Sequence, residues 1–187
     1  MITQLPAIWP LSPHPDCEAS PLDRLEVGID QTAPLLWHFR FAGAGEVARV
    51  RFPSKDTPSR RDGLWQHTCA EVFLMEPGGG YCEFNLSPST KWAAYRFESY
   101  RSGVKSQVLG QAPRIEFVRT ADSFSLEAIL DLTGVFTSPL ANVRVGLAAV
   151  IEQNDSSICY WALKHVPGKP DFHHADGFVG VLEDNVN

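Results

Sequence analysis

Apolar and polar residues alternate along this chain with a period of two far more often than with the period of a helix. Val143, Val145, Leu147, Ala149 and Ile151 share one face of a run whose other face carries Gly146, Ala148 and Val150. That pattern predicts a central strand buried on both sides. Phe124, Leu126, Ala128 and Leu130 alternate with Ser125, Glu127 and Asp131, and 114–119 precedes them across Thr120-Ala121-Asp122-Ser123, which predicts a hairpin. Leu35 to Phe41 is aromatic and β-favouring, with a turn over Ala42-Gly43-Ala44-Gly45. Ala48, Val50 and Phe52 alternate with Arg49 and Arg51 as a further strand, whereas Asp131 to Phe136 fits a single helical turn. Residues 158–163 and 178–182 complete the set. The count is about ten strands at short, even spacing, with no long helix, which predicts an all-β sandwich or barrel.

One hairpin carries the richest chemistry. Leu64 to Leu74 and Tyr81 to Leu86 flank Pro77-Gly78-Gly79-Gly80. On the second strand Cys82, Phe84 and Leu86 must face the core, so Tyr81, Glu83 and Asn85 face the other way. If that second face is concave, a carboxylate and an amide side by side form a row suited to hydroxyl groups. Trp65, His67 and Glu71 belong to the same hairpin, and Ala93, Tyr95 and Phe97 share a face of the next strand, opposite Arg96.

Length and composition narrow the picture. A chain of 187 residues fits one domain with a single core. Residues 1–24 hold Pro6, Pro10, Pro13, Pro15 and Pro21 and are expected to form an extended arm, leaving 25–187 as the domain. The net charge of −6 argues against nucleic acid or an anionic membrane as partner. The start of the chain carries no secretory pattern, and no run approaches the roughly 18 apolar residues of a membrane helix, so a cytoplasmic protein is expected. Cys17, Cys69, Cys82 and Cys159 form no C-x-x-C pair and are expected to be reduced, mostly buried thiols.

The loop after Tyr160-Trp161 gathers His165, Asp171, His173, His174 and Asp176. A metal site, a structural loop and a ligand rim all remain open for it, although its spacing matches no standard zinc pattern. Cys69 beside His67 lacks the orienting acid and oxyanion hole of a nucleophilic site. Glu71 and Glu83 could pair for glycoside hydrolysis.

These segments, with Trp92 to Phe97 and Lys169-Pro170-Asp171-Phe172-His173-His174, resemble the bacterial DOMON-like proteins, which are related to the family-nine carbohydrate-binding modules. The resemblance runs from about residue 25 to 183. It implies a jelly-roll-like, two-sheet antiparallel β-sandwich whose concave face or rim binds a sugar or a b-type haem. Haem-binding members use an axial Met with His, and Met75 is the only internal methionine here. Some of the sugar-binding modules carry structural calcium, but this chain has no calcium loop at EF-hand spacing. The expectation is a non-catalytic module for a saccharide or polyol without a cofactor, with b-type haem binding and a small hydrolase as alternatives. Its expected ligand-binding residues are Trp65, His67, Glu71, Glu83, Asn85, Arg96, Trp161 and His174. Trp65 and Trp161 would stack on ring faces, while Glu83, Asn85, Arg96 and His174 would read hydroxyls.

Overall fold

A computed structural model describes residues 7–136, Leu140 and 142–182. Pro6 and the last five residues of the expected domain lie outside them. Among the described residues the chain forms twelve strands. They are β1 (Ala7–Pro13), β2 (Leu22–Ala33), β3 (Leu36–Gly45), β4 (Cys69–Met75), β5 (Tyr81–Leu86) and β6 (Trp92–Phe97). There follow β7 (Lys105–Ser106), β8 (Arg114–Arg119), β9 (Ser123–Asp131), β10 (Val143–Glu152), β11 (Ile158–Ala162) and β12 (Gly180–Leu182). The helical content of the described residues is three single 3₁₀ turns, none long and apolar enough to cross a membrane.

The strands run in the order β7-β6-β5-β4-β10-β11-β1-β2-β3-β9-β8, with β12 added beside β10. All pairings between them are antiparallel. In place of two separate sheets there is one continuous sheet that curls on itself. The join is β1, whose residues 7–11 pair with β2 while Ser12 and Pro13 pair with β11. Residues 7–13 of the proline-rich start form a strand of this sheet, and residue 24 lies inside β2. Proline lacks a donor, which forbids a helix here but not a strand that pairs on one side at a time.

The curl closes around the main core. Leu25, Val27 and Ile29 from β2, Phe39 and Phe41 from β3, and Leu126 and Leu130 from β9 come from one half. Ala70, Val72 and Leu74 from β4, Phe84 and Leu86 from β5, and Leu147 and Ile151 from β10 come from the other. These are the alternating apolar positions of each strand, and burying them drives the closure.

Three local expectations are corrected. Residues 42–45 continue β3 against β9 instead of turning. Residues 47–49 form a 3₁₀ turn, and Val50 makes only an isolated bridge to Gln153. Two alternating arginines were too short a pattern to fix a strand whose neighbours are loops. Cys17 and Cys159 are not free thiols: they form a disulfide, with Cα atoms 5.3 Å apart. Pairing of β1 with β11 brings them together across 142 residues, a closeness that spacing cannot report. Cys69 and Cys82 are free and buried as expected.

Candidate functional site

The outer face of the β4–β5–β6 and β10–β11 half carries a second, smaller apolar cluster: Phe73, Met75, Tyr81, Phe97, Ala148, Ala162 and Phe178. Alternation delivers it. On β4, Cys69, Glu71, Phe73 and Met75 point away from the main core, as do Tyr81, Glu83 and Asn85 on β5. Register then sets the neighbours. Glu71 lies opposite Asn85, Glu83 opposite Tyr95 and Tyr81 opposite Phe97. The Tyr81 and Phe97 rings stack with centroids 4.6 Å apart.

This face is neither flat nor wet. It is the floor of a cavity enclosing about 800 Å³, within the roughly 300–1,000 Å³ usual for small-molecule sites. Glu71, Glu83, Tyr95, Phe97, Val150 and Tyr160 line it from the strands. Three loops wall it: Asp62, Gly63 and Trp65 from one, Arg101 and Val104 from a second, and Lys169, Pro170, Phe172 and His173 from a third. The small face of β10 leaves the room, since Gly146 and Ala148 share that face with Val150.

Each wall is fixed. Gly63 takes a left-handed conformation (φ 76°) ahead of the short turn Leu64–Gln66, which places Trp65 at the rim with 52% of its surface exposed. Gly103 is also left-handed, and a Cβ there would meet the Glu98 side chain at 2.6 Å. Arg101 holds a positive φ of 51°, unfavourable for a side chain with a Cβ. The strain is offset by its own contacts. Its backbone N–H donates to the Tyr81 hydroxyl (3.2 Å), and its guanidinium donates to Asp171 (2.9 Å). Asp171 also accepts from the Tyr100 hydroxyl (2.7 Å) and the His173 N–H (3.1 Å), so one carboxylate ties two walls together. Burial alone would raise the Asp171 carboxyl, but the hydrogen bonds from Tyr100 and Arg101 hold it below its ordinary value.

The floor has unusual electrostatics. Glu71 is 3% exposed and Glu83 5%. Asn85, fully buried, donates from Nδ2 to Glu83 Oε1 at 2.5 Å and so fixes that carboxyl. Burial pushes the Glu83 carboxyl above its ordinary range, against the pull of Asn85 and Arg101. Burial, reinforced by the neighbouring Glu83, pushes Glu71 well above it. The Glu71 side chain makes no hydrogen bond to any described residue. Burial, helped by the Arg101 charge, lowers His173 to about 4, so its imidazole is neutral near pH 7. The buried Tyr81 hydroxyl accepts from Arg101 N–H, and His173 Nδ1, at 2.9 Å, is the one acceptor within its reach among the described residues, so its own proton goes there. That leaves the imidazole N–H on Nε2, facing Glu83 Oε2 at 3.8 Å, too far for a hydrogen bond. Tyr95 donates to Asp62 Oδ1 at 2.6 Å, and Arg60 lies over its ring.

Of the eight side chains expected to bind a ligand, Trp65, Glu71 and Glu83 line the cavity and Asn85 lies beneath it. The other four point elsewhere. His67 Nδ1 pairs with Glu152 at 2.8 Å on the outer side of the rim turn. Arg96 lies opposite Cys82, on the core face of β6, where it bonds Glu76 and Cys82. Trp161 lies opposite Ala149 and is 2% exposed in the main core, so it cannot face Trp65 across the cavity. His174 accepts from Asp176 N–H in an adjoining groove lined by Tyr100 and Asp171. Tyr95, Phe97, Arg101, Tyr160, Phe172 and His173 were missed. Strand alternation held the signal for three: it puts Tyr160 opposite in sense to Trp161, and Tyr95 and Phe97 opposite to Arg96. The loop residues had no such signal.

No protein-family model matches the chain, and no curated protein matches it in sequence. Solved structures do match. The chain shares its fold with a candidate carbohydrate-binding protein from Bacteroides uniformis ATCC 8492. The two agree with a TM-score of 0.67 at 13% identity, over 93% of this chain and 84% of that one. A family-nine carbohydrate-binding module from Caldicellulosiruptor kristjanssonii, solved with cellotriose, is more distantly similar, with a TM-score of 0.48 at 10% identity over 88% of this chain and 73% of its own.

Met75 does not line the cavity, and its sulfur contacts Arg144 at 3.9 Å, so no Met–His pair faces across the site for a haem iron. His165 donates its Nε2–H to the Ser12 carbonyl at 2.8 Å, and no three metal-ligating side chains converge among the described residues.

Proposed function

We propose that this chain is a non-catalytic binding module for a saccharide or similar polyol, with the outer-face cavity as its site. The observation that carries the reading is the composition of that cavity. Aromatic rings from four elements surround a floor of two buried carboxyl groups backed by an amide. Sugars present just such alternation, with apolar C–H faces for rings and hydroxyls for polar groups. Trp65 at the rim offers a stacking surface, and Tyr160 and Phe172 offer others on the far side. His173 contributes a fixed N–H donor. The B. uniformis protein of the same fold, described as carbohydrate-binding, supports the reading. So does the resemblance of the hairpin to DOMON-like proteins.

Hydrolysis fits the floor less well. A glycosidase needs one carboxyl protonated and its partner ionised as nucleophile or base. Burial pushes both Glu71 and Glu83 upward, and neither has a group that would hold it ionised within hydrogen-bonding reach except the Asn85 amide on Glu83.

Titration calorimetry against mono- and disaccharides tests the proposal, read beside the Trp65→Ala variant. The expected result is binding in the micromolar to millimolar range that weakens about 3–10-fold in the variant, the equivalent of one aromatic contact. Absence of heat with every sugar, for a folded sample, sinks it.

A further inference from the structure

The cavity floor is short of positive charge. Glu71 and Glu83 occupy diagonal positions on paired strands, because Glu71 lies opposite Asn85 and Glu83 opposite Phe73. Such positions stand about 7–8 Å apart, room for one small group to touch both. Both side chains are more than nine-tenths buried, and Glu71 reaches into the cavity with no hydrogen-bond partner among the described residues. An unpaired buried carboxyl is costly in a protein that gains nothing from it. The cations nearby are committed or peripheral. Arg101 is bonded to Asp171, Arg60 is bonded to Asp62, and Lys169 stands exposed at the rim.

We propose that the site is built for a positively charged ligand, an amino sugar whose ammonium group lies between Glu71 and Glu83. This inference rests on the saccharide-binding reading and names the class of sugar. The ammonium has three donors, one for each carboxyl and one for a further acceptor, and no acceptor of its own. It supplies a counter-charge in direct contact with the two carboxyls, which Arg101, bonded to Asp171, influences only from a distance. Burial, reinforced at Glu71 by the neighbouring Glu83, disfavours the ionised carboxylates, and the bound ammonium offsets that cost. The neutral N–H of His173 and the aromatic walls remain for the hydroxyls and the C–H face of the ring.

The test is calorimetry near neutral pH with D-glucosamine, D-galactosamine and D-mannosamine, each beside its parent hexose and its N-acetyl derivative. The expected result is that at least one amine binds about tenfold or more tightly than both of its neutral counterparts, as a charge-assisted pair requires. Glu71→Gln and Glu83→Gln, isosteric and checked for folding by circular dichroism, should bring that ratio close to one. Neutral hexoses binding as tightly as the amines would overturn the inference and leave the saccharide reading standing. An amine preference untouched by both substitutions would also overturn it, since the charge would be read elsewhere. Binding of no sugar, amine or neutral, would end both.

Discussion

The two faces of the β4–β5 hairpin are equally buried and wholly different in kind. One face carries Ala70, Val72, Leu74, Cys82, Phe84 and Leu86 into the main core. The other carries Glu71, Phe73, Tyr81, Glu83 and Asn85, and every one of these is also buried. On the first face burial is the source of stability, since apolar area leaves water. On the second it acts against stability at Glu71 and Glu83, because groups that prefer water are held away from it. A fold tolerates such a face where the dehydrated groups serve a ligand. The comparison therefore separates what holds the molecule together from what it holds.

The largest expected effect lies on the core face. Phe84 is 1% exposed between the two halves of the curled sheet. Truncation to alanine should cost about 3–5 kcal/mol, the sum of lost transfer energy and residual cavity. Denaturant unfolding of Phe84→Ala measures it. A loss below about 1 kcal/mol would mean that the two halves do not pack as tightly as their contacts indicate.

A smaller effect, opposite in sign, is expected on the outer face. The carboxyls of Glu71 and Glu83 titrate above their ordinary value of 4.5 in the folded protein. Above that value the unfolded chain releases protons that the folded one retains. Their contribution to stability is thus fully present below pH 4.5 and is lost as pH rises through the folded values. His173 runs the other way: it is lowered from 6.5 to about 4, so its contribution is present above 6.5 and is lost as pH falls through about 4. Glu71→Gln removes the more strongly raised of the two carboxyls. Its melting temperature should exceed that of the parent by a few degrees near pH 8, and the gap should shrink toward about pH 5. Equal gaps at the two pH values would show that Glu71 is not held protonated by the fold.

The same comparison shows where the sequence was readable. Period-two alternation placed β4, β5, β6, β9 and β10 because each has one face that must enter the core, and a slip of one residue would expose all of it. It also assigned Tyr81, Glu83 and Asn85 to the opposite face. It could not say whether that face was covered, because the cover consists of loops 62–66, 99–104 and 166–173. Their positions depend on left-handed residues and on Asp171, whose three partners lie up to 71 residues away. Trp161 and Arg96 were drawn to the site by their chemistry, whereas their register neighbours, Ala149 and Cys82, belong to the core. Register between strands, more than residue type, decides membership of this site. The disulfide was illegible for a related reason: only the path of the sheet brings β1 against β11.

The smallest expected effect tests the seam between the two faces' functions. Tyr81 packs its ring against Phe97 as a core residue would, yet its hydroxyl receives the Arg101 N–H and donates to His173 Nδ1. Tyr81→Phe keeps the stack and removes both bonds. The stability cost should be about 1 kcal/mol, since Arg101 N–H and His173 Nδ1 lose a partner but lie near enough to the cavity for water to replace it. The consequence for the ligand should be larger than the consequence for the fold. Without that hydroxyl the imidazole is free to carry its proton on Nδ1, and the donor facing Glu83 is lost in that tautomer. Nitrogen-15 shifts of the His173 ring report the change directly. A ring that keeps its proton on Nε2 in Tyr81→Phe would show that the cavity, rather than Tyr81, orients the histidine.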